Sequence, residues 1–188
     1  MEEKILIEKI IASDRNAFKE LYDTFSSKVY NTLIGILQNS EDAEDVTQEV
    51  FIQIFRAIGN FKQDSTLSTW IYRISINKAF EFLRSKKRKK RFAIVKSIFE
   101  KEEVEEPVDF LHPGIITENK ERSKILFKAI NKLSEKQKTA FILSKIENLS
   151  HKEICEIMKL SLSSVESLIF RAKENLKKEL YDFYKENL

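Results

Sequence analysis

Apolar residues recur along most of this chain at steps of three and four, the spacing that lines them up on one side of an α-helix. Phe18, Leu21, Tyr22, Phe25, Val29, Leu33 and Ile36 make one such stripe, and Ala43, Val46, Val50, Ile54 and Ile58 make a second. Ser40 is the expected N-cap of the second helix, with Gly59 and Asn60 at its end. The polar loop KQDST precedes a third helix, beginning near Leu67, that turns Tyr72, Ile76, Ala79 and Leu83 toward a core. Further on, Ser134 with Gln137 and Ser150 with Glu153 stand at capping-box spacing, where two side chains satisfy free amides at a helix start. Val165, Ile169, Ala172, Leu176 and Leu180 then mark a last amphipathic helix. Short helix, tight turn, longer helix is the outline of a helix-turn-helix, and the expected fold is all-α.

Composition agrees, since three glycines and two prolines in 188 residues leave few places where helices must stop. Both prolines and one glycine fall within 107–114, which marks a flexible linker between two small helical domains. The expected boundaries are 1–92, a linker at 93–115, and 116–188, the second domain carrying the helix-turn-helix. Cys155 stands alone, which excludes an internal disulfide and a multi-cysteine zinc site and fits a reducing compartment. With no apolar run near the roughly 20 residues of a membrane span, a cytoplasmic protein without membrane insertion is expected. His112 and His151 are isolated, and neither a glycine-rich phosphate loop nor a nucleophile motif occurs. No enzyme, metal or cofactor is therefore expected.

The 33 basic and 30 acidic residues leave a net charge of +3, too small to name a partner, so the distribution must decide. Seven of the eight residues 84–91 are cations, and within ten residues 100–106 hold five glutamates. At about 100° per residue, the helix leading into the basic run brings Arg73, Asn77 and Arg84 into a narrow arc flanked by Trp70 and Phe80. Rings stack on unpaired bases, an amide reads a base edge and cations hold phosphates, which together suit an opened strand. The plainer alternative is that Trp70 and Phe80 only pack inward. On the second helix, Asp45, Gln48 and Glu49 with Ile52 and Phe55 make an acidic and apolar side suited to a basic helical partner. In the hairpin, Ser161, Leu162, Ser163, Ser164, Glu166 and Ser167 would meet base edges, with Arg171, Lys173, Lys177 and Lys178 on phosphates.

In order, RNAFKELYDTF (15–25), DAEDVTQEVFIQIF (42–55), FKQDSTLSTWIYRISINKAFEFLR (61–84), LSEKQKTAFILSKIENLSHKEICEIM (133–158) and SVESLIFRAKENL (164–176) resemble the bacterial sigma factors of the two-domain extracytoplasmic-function type. The resemblance implies a non-enzymatic subunit that binds core RNA polymerase and directs promoter recognition. Asp45, Gln48, Glu49 and Phe51 would dock on the clamp coiled coil of the β′ subunit. Phe61, Asp64, Ser65, Trp70, Arg73 and Asn77, with Arg84, Lys86 and Arg88, would capture and hold the melted minus-10 element. Ser161, Ser163, Ser164, Glu166, Ser167, Arg171 and Lys173 would read the minus-35 duplex. Implied partners are core polymerase through its β′ and β subunits, promoter DNA and an anti-sigma factor.

Three positions depart from the family pattern. Lys159 stands where the hairpin turn usually has glycine, which costs on the order of 1 kcal/mol if φ is positive. Glu166 and Leu168 occupy positions that are usually basic, so minus-35 binding would be weak or unusually selective. The alternative function is a sigma-mimicking adaptor that binds an anti-sigma factor without touching DNA. A repressor using the second domain alone would leave the first without purpose.

Overall fold

With helix breakers so scarce, the chain folds into long helices whose ends are set by side-chain caps. The computed structural model describes residues 3–97 and 120–186, and every regular element among them is helical. In order these are α1 (Glu3–Ile11), α2 (Arg15–Leu37), α3 (Ser40–Ala57), a 3-10 turn (Ile58–Asn60), α4 (Leu67–Ser97), α5 (Lys120–Asn131), α6 (Glu135–Lys145), α7 (His151–Met158) and α8 (Leu162–Glu186). Asp14 starts α2 by accepting from the amides of Asn16 at 2.8 Å and Ala17 at 3.3 Å. The cap of α3 is Asn39 rather than Ser40: its Oδ1 accepts from Asp42 N at 2.8 Å, and its backbone is extended while Ser40 is already helical. Asparagine and serine cap about equally well, so tertiary geometry decided the register.

The predicted seam of α3 is buried throughout, from Ala43 to Ile58, against Leu21, Val29, Leu33 and Ile36 of α2 and Leu67, Ile71, Ile76 and Ala79 of α4. Unanticipated is α1, whose nine residues bury Leu6, Ile7 and Ile10. Its Glu3 carboxylate accepts from Leu67 N at 3.1 Å, supplying from 64 residues away an acceptor for the first turn of α4. α4 continues to Ser97, past the expected boundary at 92, because lysine and arginine are good helix formers and nothing in 84–97 breaks the helix. Most of the expected linker, 93–115, lies outside the described residues.

In the second domain α5 lies on α8 over a small core that includes Phe127, Ile130 and Leu133 from one side and Ala172 and Leu176 from the other. Both predicted capping boxes form, at Ser134 with Gln137 and at Ser150 with Glu153. The Ser150 hydroxyl and amide hold the Glu153 carboxyl below its usual range. Lys159 ends α7 in the left-handed region, at φ 53° and ψ 49°, with its amide donating to the Cys155 carbonyl.

The two domains do not stand apart. α6 packs on α2 and α7 on α4, and one contiguous core runs from Leu6 through Leu33 and Ile76 to Leu143, Ile154 and Ile169. Polar links among the described residues also tie the halves together. The Tyr72 hydroxyl donates to Glu147 Oε2 at 2.8 Å, and burial first, then the Glu147 charge, raises its pKa. Lys87 pairs with Glu135 at 2.6 Å. Lys138 is 8% exposed and its ammonium donates to Asn131 Oδ1 at 2.7 Å and to the Ile36 carbonyl at 3.4 Å. Burial lowers the Lys138 pKa to about 8, with Glu135 opposing and Lys87 adding to the shift. An exposed ion pair such as Lys87–Glu135 contributes at most about 1 kcal/mol, so the apolar seam dominates the closure.

Candidate nucleic-acid and docking surfaces

Burying Ile71, Ile76 and Ala79 turns the opposite side of α4 outward. Asn77, Arg84 and Arg88 are exposed there, as the helical spacing predicts, Lys86 is exposed on the side toward α3, and Trp70 and Arg73 are half-buried. The loop before α4 brings Phe61 onto Trp70, with ring centroids 5.3 Å apart and planes at 47°, so two of the predicted rings form one aromatic wall. Gln63 in that loop takes a left-handed φ of 58°, Asp64 is exposed and Ser65 half-buried. Thr66 Oγ1 accepts from Thr69 N at 3.1 Å and fixes where α4 begins relative to the loop. Phe61, Trp70 and Phe80 are each partly buried against the core, so both rings named in the plainer alternative pack inward in part. Arg73 carries a buried Nε without a hydrogen-bond partner among the described residues, so a donor is desolvated beside the aromatic wall.

Cations of α4 face carboxylates of α3 across an open cleft of about 1090 Å³, lined among others by Asp42, Glu49, Arg84, Lys86 and Arg88. Lys86 pairs with Asp42 at 2.7 Å and Lys78 with Glu49 at 3.5 Å. The basic run is thus partly neutralised near its start and unopposed by those carboxylates further along. This pairing was missed from sequence because residues 42 and 86 meet only once α3 lies on α4.

On α3, Asp45, Gln48 and Glu49 are exposed, but Phe51 is only 4% exposed, its ring tilted against Tyr22 at 4.6 Å. Helical spacing explains this: 47, 50, 51, 54 and 58 share one buried arc. Phe51 therefore lies beneath this surface of α3 and not on it. The apolar area available to a partner comes from Tyr22, Ile52 and Phe55, which are 42%, 51% and 49% exposed, with Phe55 edge-on to Phe18 at 5.1 Å. Tyr22 was missed as a surface residue because it lies in the apolar stripe of α2.

In the hairpin Ser161, Ser163, Ser164, Glu166, Ser167, Arg171 and Lys173 are all exposed. Ser161 Oγ accepts from Ser164 N at 3.3 Å, capping α8, so this serine is occupied in starting the helix that presents the others. Cys155 packs partly buried against the core. Among the described residues no cluster of histidine, cysteine or carboxylates could hold a metal, and no helix is long and apolar enough to cross a membrane.

Residues 21–89 match the family described as Sigma-70 region 2, and residues 123–176 match Sigma-70, region 4. The chain belongs to the sigma-70 family. The RNA polymerase sigma-H factor of Pseudomonas aeruginosa is 30% identical over 96% of this chain and 95% of its own length. The ECF RNA polymerase sigma-E factor of Escherichia coli K12 is 33% identical over 92% of this chain and 91% of its own. Two solved structures share the fold. One is the sigma factor RpoE in complex with the anti-sigma factor NepR from Bartonella quintana, at 22% identity and a TM-score of 0.70 over 87% of this chain and 96% of that one. The other is CnrH in complex with the cytosolic domain of CnrY, at 20% identity and 0.68 over 96% and 97%. The sigma factor described here is of extracytoplasmic-function type and, as sigma factors are, a transcription-initiation factor of RNA polymerase rather than an enzyme in itself.

Proposed function

We propose that this sigma factor, acting in the cytoplasm, docks on core RNA polymerase through α3, holds unpaired minus-10 bases against α4 and the loop 61–67, and presents α7–α8 to the minus-35 duplex. Asp45, Gln48, Glu49, Ile52 and Phe55 supply charge and exposed apolar area to a basic helical partner on β′. The observation that carries the strand-holding role is the Phe61–Trp70 wall on the same face of α4 as the exposed Asn77 amide and the half-buried Arg73. Such a site offers stacking and a base-edge contact together, and the exposed cations Arg84 and Arg88 extend the same face for phosphates. An anti-sigma factor is the third proposed partner, supported by the complex in which the similar RpoE fold was solved.

The promoter elements lie about 25 base pairs apart, which at about 3.4 Å per step is about 85 Å of duplex. Two domains sharing one core cannot reach both ends, so promoter binding requires them to part. The 22 residues 98–119 would reach at most about 80 Å when extended, enough with the widths of the domains to allow it.

Permanganate probing of unpaired thymines with core polymerase tests the strand-holding site. Asn77→Ala and Arg73→Ala should each lower promoter opening while core binding persists; undiminished opening by both variants contradicts the assignment. A sigma-mimicking adaptor would fail to bind core polymerase at all, and it has no use for the cationic run at 84–91.

A further inference from the structure

On the exposed flank of the hairpin's second helix, an acidic side chain stands between two apolar ones. α8 buries Val165, Ile169, Ala172 and Leu176, which leaves Leu162, Glu166 and Phe170, at i, i+4 and i+8, exposed along one flank. Leu162 is 53% exposed, Phe170 is 64% exposed, and the Glu166 side chain is 55% exposed. The flank faces the start of α7, where His151 Nδ1 comes within 3.8 Å of Glu166 Oε1. In a helix-turn-helix the two helix starts meet the duplex on that side, the first helix at the backbone and the second at base edges. Lys152, Lys159, Arg171 and Lys173 are exposed on the same hairpin and supply cations for phosphates.

A carboxylate accepts hydrogen bonds and donates none, so guanine and thymine offer it only acceptors; adenine sets its amino donor beside the N7 acceptor, which repels the second carboxylate oxygen, and the amino group of cytosine is the better match. Leucine and phenylalanine on either side make apolar contact, which the major groove supplies through the thymine methyl. We infer that Glu166 is a specificity-determining residue that selects cytosine in the minus-35 element, with Leu162 and Phe170 favouring adjacent thymine methyls. This deepens the minus-35 role proposed for α7–α8 and rests on it.

The test is initiation by core polymerase plus full-length protein on a duplex library randomised across the minus-35 region, with sequencing of the templates transcribed. Wild type should favour cytosine at one position by about tenfold over the other bases. Glu166→Ala should erase the preference at that position and leave the others intact. Glu166→Gln should move it toward adenine, whose edge an amide matches, and Glu166→Arg toward guanine. A Glu166→Ala variant that initiates more strongly on all sequences with unchanged preferences would show the carboxylate to be merely repelling phosphates, and would overturn the inference. So would a wild-type preference that no substitution at 166 alters, although the minus-35 role would then stand. Loss of any minus-35 preference in wild type would overturn both.

Discussion

At the scale of single residues, Lys159 shows how far a local rule reaches. Its position between two helices and the usual glycine there pointed to a positive φ, and the backbone is left-handed at 53°. A side chain in that region costs on the order of 1 kcal/mol, offset in part because glycine has more freedom in the unfolded chain. Lys159→Gly should therefore raise stability by about 0.5–1 kcal/mol, visible as a higher urea midpoint with unchanged slope; a lower midpoint would show that the lysine side chain makes a stabilising contact. Arg73 marks the limit of such reading. Its place on the α4 arc was evident from spacing, but that its Nε is desolvated without a partner depends on how the loop and core close around it.

At the scale of elements, capping-box spacing located α6 and α7, and amphipathic spacing located α2, α3, α4 and α8 but not α5, because each of these four has an apolar stripe long enough to repeat. It passed over α1, whose nine residues give too few repeats and whose carboxylate serves a distant helix. Phe51, which the family resemblance rather than the spacing names for docking, lies in the buried arc of α3, which the neighbouring Tyr22 widens by one residue. The two roles can be separated experimentally. Phe51→Ala should cost about 3–5 kcal/mol of stability by leaving a cavity. Phe55→Ala, at 49% exposure and with only an edge contact to Phe18, should cost far less stability while weakening core polymerase binding several-fold. Circular dichroism melts together with fluorescence anisotropy on labelled core polymerase read the two effects; equal loss of stability in both variants would contradict the division.

At the scale of the whole molecule, two domains were legible from the cluster of prolines and glycine, but their contact was not. It depends on Tyr72 meeting Glu147, on Lys138 reaching Ile36, and on apolar surfaces far apart in sequence fitting together, none of which periodicity records. Lys138 makes closure sensitive to pH. Its pKa falls from an ordinary 10.5 to about 8 when packed, with Glu135 and Lys87 as its charged neighbours. The packed form thus binds fewer protons, and it is penalised below about pH 8 and relieved as pH rises from about 8 toward 10.5. Energy transfer between dyes on α2 and α6 should accordingly increase between pH 7 and 9.5, and Lys138→Met should be high and flat across that range. A pH-independent wild type would show that the lysine is buried within the second domain alone. Adding core polymerase and promoter should abolish the transfer, because the two elements lie about 85 Å apart.

The central claim, that the protein is a sigma factor whose first domain holds opened DNA while seated on core polymerase, meets its most direct test in transcription itself. Purified core polymerase, with and without the full-length protein, is given a genomic DNA library, and transcript starts are sequenced. The account predicts discrete starts that appear only with the protein, share two upstream elements, and decline when Asn77 is replaced by alanine. Starts no more focused than those of core polymerase alone, from a protein shown to be folded, would contradict it.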